Sequence, residues 1–566
     1  MATRPQRDSA RDPFERAHSL FGEMLAWLEA SAHDADHRVL EEGLRERGNE
    51  ILRAAYQGHL DQRHRREREA LRAAPPDGIE VRTRKRSLET LFGRVQVRRA
   101  ARSPRRVRPR IEGAPSPRRG VRRQGAARDA AMPADSRLAL PRQIYSAPLQ
   151  EQAMLNVVGA SYARVGESID RQTAGHIPHR PLLQLARCCA QDVDAFYAQR
   201  SPPTLVDESS PTRLLEVMSG DGKGVRMRPE GLREETRKLA EQQAASAIKG
   251  DPMAQRQARS HDRRMAVVTA NWEQEPRVRA PEDILRDLTA PRTGKPRKKQ
   301  REEGPRKDLP RPRNKRVRAS LEHGSRARIE EVFAEADRRD PSRVRPRVML
   351  VDGSISQLLH VTETAAKLGI SVTIIVDVIH VLHYLWKLSK QLSTGDDGVR
   401  ETWVREHLMR LMTRPAHLVL SGLRQSATLL KLRGDAREAV DDAVGYLERN
   451  AAHLDYGAYL RAGMPIATGV IEGACRHLVQ DRMGITGACW GLDGAEAVLR
   501  LRSVWSSGDW EQYWNFHLRQ EHRRNYPIAE AAGCLKRPRP SNRTAPVAES
   551  WRAAAGSTSR CRQNRA

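Results

Sequence analysis

Three carboxylates stand in distinct sequence settings. Asp221 lies in Met-Ser-Gly-Asp-Gly-Lys-Gly. Asp352 closes the apolar run Val348-Met349-Leu350-Val351 and is followed by Gly353. Glu472 lies in Thr-Gly-Val-Ile-Glu-Gly-Ala-Cys, at the start of a helical stretch. Two aspartates at strand ends and a glutamate on a later helix can hold two magnesium or manganese ions through hard oxygen ligands. Such a pair serves both sides of an in-line phosphodiester displacement: one ion activates water or a 3′-hydroxyl, the other stabilises the leaving oxygen. A single Asp-Gly is ordinarily a turn, so the order and setting of all three carry the weight.

A second cluster is Asp377-Val-Ile-His380, with His383, Tyr384 and Trp386 behind it. His380 and Tyr384, four apart, share a helix face. Asp377 is either a further metal ligand, and a rival to Asp352 as the second one, or a partner that satisfies His380 and fixes a strand-to-helix turn. In the catalytic reading His380 meets the leaving phosphate. After Glu472, Arg476 and Arg482 are candidates for the scissile phosphate. Trp490 is either a platform for a splayed base or a core aromatic. Arg500 and Arg502 read as backbone or solvent contacts.

The chain has 566 residues, enough for several domains, and a formal charge of +29 from 100 Lys+Arg against 71 Asp+Glu. That excess favours a polyanionic partner, and the obvious one is nucleic acid. Arginine predominates over lysine and suits bidentate phosphate contacts. The six cysteines form no Cys-x-x-Cys pair, which argues against a zinc ribbon and fits a reducing cytoplasm. The polar start, with no apolar run near the roughly 20 residues needed to span a bilayer, predicts a cytoplasmic, nucleoid-associated protein without a membrane partner.

The elements that must position the carboxylates are legible in part. Residues 1–99 read as helices over 13–73 and a small hairpin over 79–99 turning at Phe92-Gly93. Residues 100–140 are basic, low in apolar residues and expected to be disordered. Residues 141–205 have a helix-turn-helix shape, either contacting DNA or simply packing. Residues 206–396 are the first part of an α/β core. In it a strand ends at Asp221, Gly224-Val-Arg-Met-Arg forms its hairpin partner, and Met265 to Trp272 is a third strand. Residues 286–320 read as a loop or linker that either covers DNA phosphates, with Lys298 and Lys299 as contacts, or is a merely solvated insertion. Strands at 347–352 and 372–377 flank a helix in a βαβ unit. Residues 397–463 are a helical insertion, residues 464–533 complete the core with the Glu472 helix, and 534–566 is a disordered basic tail. A three-strand meander followed by βαβ is the order of an RNase H-like core, in which the first and fourth strands are neighbours.

At these residues the chain resembles the ISKra-four family of bacterial insertion-sequence transposases. The resemblance rests on Asp221-Gly-Lys-Gly-Val, Val351-Asp-Gly, Val376-Asp-Val-Ile-His-Val-Leu-His-Tyr-Leu-Trp-Lys and above all Gly469-Val-Ile-Glu-Gly-Ala-Cys-Arg-His-Leu-Val. It continues through Asp481-Arg-Met, Trp490, Gly494-Ala-Glu-Ala-Val-Leu and Gly508-Asp-Trp and covers roughly 145–530. It implies a DDE-type transposase of a mobile element, one that cuts at terminal inverted repeats and joins 3′ ends to target DNA with magnesium. Synapsis of two ends implies at least a dimer. Related Mutator-like enzymes place the second aspartate before a glycine after the fourth strand, which favours Asp352, and carry an Asp-x-x-His like Asp377–His380. Gly220, where the family has an apolar residue, and the stretches 100–140 and beyond 534 depart from it. Two other functions stay open: a decayed or repurposed DNA-binding protein, and a metal-dependent nuclease that does not join strands.

Overall fold

The computed structural model describes residues 12–30, 34–75, 77, 79–104, 132–200, 214–246, 262–288, 311–467, 469–485 and 487–527. They form two compact units, one of residues 1–147 with 518–566 and the other of residues 148–517.

In the first unit, helix Glu15–Ala30 is followed by helix His37–Ala73, which Asp36 opens by accepting the Val39 N–H at 2.9 Å. Strands β1 (Ile79–Thr90) and β2 (Gly93–Pro104) pair antiparallel, with Thr90 opposite Gly93 across a tight turn. Leu60, Leu88, Val95, Val97 and Leu140 form their common core. The expected hairpin is present but runs to Pro104, into the segment read as disordered; residues 105–131 of that segment lie outside the described residues.

The second unit opens with helices Ala147–Val157, Tyr162–Gln172, His179–Ala190 and Val193–Gln199. The helical region expected over 141–205 is therefore present, as four helices among its described residues. Helix His179–Ala190 buries Leu182, Leu185, Ala186 and Cys189 and packs against helix Leu492–Ser506.

A mixed five-stranded sheet follows, making this unit α/β. Its strands are β3 (Leu215–Arg226), β4 (Arg263–Gln274), β5 (Arg313–Ser320), β6 (Arg347–Val351) and β7 (Thr373–Val376), in the order β5-β4-β3-β6-β7. The first three are antiparallel. β6 and β7 run parallel to β3, joined to one another through helix Ile355–Leu368. Two expectations need correction. Asp221 does not end its strand: β3 runs on through Gly222-Lys-Gly224 to Arg226, and its partner is β4, not residues 224–228. And part of the expected linker 286–320 is the strand β5. Its Arg316 and Arg318 are buried because Glu335, Glu331 and Asp194 neutralise them and the Tyr197 ring lies 3.6 Å from the Arg316 guanidinium. Lys298 and Lys299 lie outside the described residues.

The expected helical insertion comprises helices Asp397–Thr413, Ala416–Leu429, Gly434–Arg449 and Tyr456–Arg461. Among the described residues no helix is long and apolar enough to cross a membrane. The tail beyond 534 is outside the described residues.

Glu216, fully buried on β3, gives the fold a pH signature. Burial pushes its carboxyl up to about 8, against the opposing pull of Arg339, with Glu273 adding to the rise and Asn271 and Arg345 opposing it. A folded value above the unfolded 4.5 means that this carboxyl's contribution is full below about pH 4.5 and lost as pH rises to about 8. Glu216→Gln is expected to leave the urea midpoint near wild type at pH 5 and raise it above wild type at pH 8.5. Parallel midpoints across that range would contradict a protonated Glu216.

Candidate active site

β3 and β6 pair in parallel with Ser219 opposite Leu350, so Asp221 and Asp352 each lie two residues beyond one paired position on neighbouring strands. The Ser219 hydroxyl reinforces the pairing by donating to the Leu350 carbonyl at 3.0 Å. β7 lies one strand further out, and the Asp377 N–H donates to Val351 O at 2.9 Å. Of the two rivals, Asp352 is therefore the one that directly follows the strand next to β3. Asp377 is buried and opens helix Val378–Leu392 by accepting the Ile379 N–H at 2.7 Å. His380 follows on that helix, half-buried, with its Nδ1 buried and without a hydrogen-bond partner. The proposed mutual Asp377–His380 pairing is thus not made through Nδ1.

Glu472 is exposed, on the short helix Gly469–Ala474, which packs against β3 and β4. The helix then widens to π geometry over Cys475–Gln480. A physical cause is at hand: Arg502 donates to the carbonyls of His477 and Leu478, which an α-helix would use within its own ladder. π segments are frequent at functional sites. Here the segment packs on β3 and delivers Cys475, whose thiol donates to Asp221 Oδ2 at 3.3 Å. Burial pushes the Cys475 thiol well up, with Asp221 and Glu472 adding to the rise and Lys223 opposing it. All three charged groups therefore act on one sulfur, which brings Asp221 and Glu472 into one neighbourhood 251 residues apart in sequence. Lys223, two residues beyond Asp221, shares its face of β3.

The turn after β6 is clamped from two sides. Gln357 Oε1 accepts the Asp352 N–H at 2.9 Å, and Asp352 Oδ1 accepts the Ser354 N–H at 2.8 Å. From the helical insertion, the Tyr446 hydroxyl donates to Asp352 O and the Asn450 amide donates to Gly353 O at 3.1 Å. Gly353 has φ +77°, and a Cβ there would meet the Tyr446 hydroxyl at 2.5 Å. The Tyr446 ring stacks on Tyr384 at 3.8 Å. Burial raises its hydroxyl's pKa, with Tyr384, Asp352 and Asp377 adding to the rise.

Two expected DNA contacts are corrected. Arg482 is buried: its Nε donates to Val157 O at 3.1 Å, and its guanidinium lies 4.8 Å from the Trp490 ring. Trp490 is a core aromatic whose indole donates to Met483 O, while its backbone bridges to Arg226 and Arg228. Arg476 makes a loose ion pair with Asp481 at 3.8 Å and is exposed enough to meet an external anion as well. Sequence reasoning missed Cys475, Gln357, Tyr446 and Lys223. Only Cys475 and Lys223 carried a signal, their closeness to Glu472 and Asp221. Among the described residues, no three His, Cys, Asp or Glu side chains are gathered closely enough to hold a metal ion. Neither protein-family models nor curated proteins give a match to the chain.

Two outcomes are expected from this geometry. Gly353→Ala strains a left-handed backbone position and crowds Tyr446, and should cost about 1–3 kcal/mol by denaturant titration; an unchanged midpoint would contradict the clamped turn. In a mass-spectrometric alkylation time course at pH 8, exposed Cys489 should react well before Cys475, and Asp221→Asn should speed Cys475. Equal rates for the two thiols would contradict the buried, protonated Cys475.

Proposed function

We propose that the protein is a DNA transposase of the DDE type, built on an RNase H-like core, which cuts at terminal inverted repeats and joins 3′ ends to target DNA. The observation that carries the reading is the β3–β6 register, which sets Asp221 and Asp352 side by side, with the Glu472 helix packed on β3. The sheet order, two antiparallel strands beside the Asp221 strand on one side and two parallel on the other, supports the RNase H-like assignment. The resemblance to the ISKra-four transposases and the charge of +29 supply the substrate class.

The donor set fits a hard divalent cation. Asp221 and Asp352 are half-exposed oxygen donors, and the bond to Asp221 Oδ2 from Cys475 comes from a weakly donating thiol. Magnesium is commonly held by one or two carboxylates together with substrate phosphates, so a full protein cage is not required. Asp221 and Asp352, joined by Glu472 once substrate phosphate is bound, would hold it. When bound, such ions polarise the phosphodiester and lower the pKa of an attacking hydroxyl or water. The chain's own residues position these carboxylates, Tyr446 and Asn450 hold the Asp352 turn, and exposed Arg476 meets backbone phosphate. Assembly as a dimer or larger on two DNA ends follows from the reaction.

A strand-transfer assay on the DNA flanking this gene separates the alternatives. Hydrolysis without joining identifies a nuclease; binding without either reaction identifies a repurposed DNA-binding copy. Glu472→Gln is expected to abolish magnesium-dependent cleavage and leave the affinity for the same DNA unchanged, whereas full cleavage by this variant would remove Glu472 from the site.

A further inference from the structure

The side-chain amide of Gln357 makes two bonds that join the two aspartate strands. Its Nε2 donates to Gly220 O at 2.8 Å, and its Oε1 accepts the Asp352 N–H at 2.9 Å. The first contact is with the residue immediately before Asp221, the second with Asp352 itself. Gln357 is buried, on the first turn of helix Ile355–Leu368, and so comes from the same segment that carries Asp352. Beyond Ser219–Leu350 the regular pairing of β3 with β6 ends, although β3 continues along β4. The amide thus takes over where backbone pairing stops, spanning the gap at the level of the candidate ligands.

The residue facing it is the one that leaves it room. A Cβ on Gly220 would stand 3.2 Å from Gln357 Nε2, tighter than ordinary van der Waals contact. The opposite end of the amide is fixed on Asp352, so it cannot retreat without losing a bond. Glycine inside a strand costs conformational entropy and packs no side chain. Here it admits a buried cross-strand amide.

We infer that Gln357 is a positioning residue that fixes the separation of Asp221 and Asp352, with Gly220 as its required neighbour. The inference rests on the reading of these aspartates as ligands of a divalent cation. Outer-sphere partners that orient ligating carboxylates typically change metal affinity about 10- to 100-fold.

The test is Mn2+ binding to the full chain, read from the electron paramagnetic resonance of the free ion, without DNA and without turnover. Gln357→Met conserves volume and removes both bonds. It is expected to raise the Mn2+ concentration at half-saturation about tenfold while leaving the stoichiometry unchanged. Gly220→Ala should give a shift of the same direction, and adding Gly220→Ala to Gln357→Met should add nothing further, because the amide it displaces is gone. If Gln357→Met does not fold, as judged by circular dichroism, Gly220→Ala alone carries the test. Asp221→Asn separates the two levels. Lost binding in Asp221→Asn with wild-type binding in Gln357→Met or Gly220→Ala would overturn the positioning role and keep the ion site. Binding in Asp221→Asn as tight as in wild type, or none in wild type, would overturn the ion site and the positioning role with it.

Discussion

The structure depends on one piece of backbone register. β3 and β6 are separated by more than a hundred residues, yet they pair in parallel with Glu216 opposite Arg347 and Ser219 opposite Leu350. Side chains alternate along a strand, so a slip of one residue would send Asp221 and Asp352 to opposite faces of the sheet. Buried apolar residues hold the register: Val217 and Met218 on β3, Val348, Met349 and Leu350 on β6, all essentially without exposure. Everything proposed for the site inherits its geometry from that pairing.

Around this centre, each candidate ligand is held by a different part of the chain. Asp221 sits in a continuous strand whose neighbouring glycines admit close approach of Gln357, Met265 and Arg263. Asp352 sits in a turn gripped by its own following helix and by Tyr446 and Asn450 of the insertion. The insertion is therefore not a passive bulge between core segments: Tyr446 holds the backbone of one candidate ligand and Asn450 that of the glycine after it. Glu472 is the least constrained, exposed on a short helix that changes pitch directly afterwards. A hydrogen-bonded aspartate pair beside an exposed glutamate is suited to a site completed by substrate phosphates.

Much of this was legible in the sequence, and what was not has identifiable causes. The buried strands β6 and β7 announced themselves as unbroken apolar runs, and Gly369 marked the end of the helix between them with a left-handed cap. The run through Gly220, Gly222 and Gly224 read as a turn because glycine punctuates turns far more often than it continues a strand. Pairing with β4 along its whole length overrode that local preference. β5 was hidden for a different reason. Arg313-Asn-Lys-Arg-Val-Arg-Ala-Ser has the composition of a solvated linker, and the carboxylates that neutralise Arg316 and Arg318 are remote or on another element. The candidate ligands were visible because Asp-Gly and Glu-Gly stand out beside apolar runs. Gln357, Tyr446 and Asn450 were not, since a buried amide or hydroxyl contacting a distant backbone has no local signature.

The central proposal is that Asp221, Asp352 and Glu472 all contribute to one divalent-cation pocket. Adding Fe2+ in place of Mg2+ and generating hydroxyl radicals from it cuts the polypeptide at whatever backbone lies nearest a bound ion, and the fragments report the site directly. Cleavage clustered near residues 221, 352 and 472, suppressed by excess Mg2+, is the result predicted. Fragments arising from one of these segments alone, or from elsewhere in the chain, would contradict the claim.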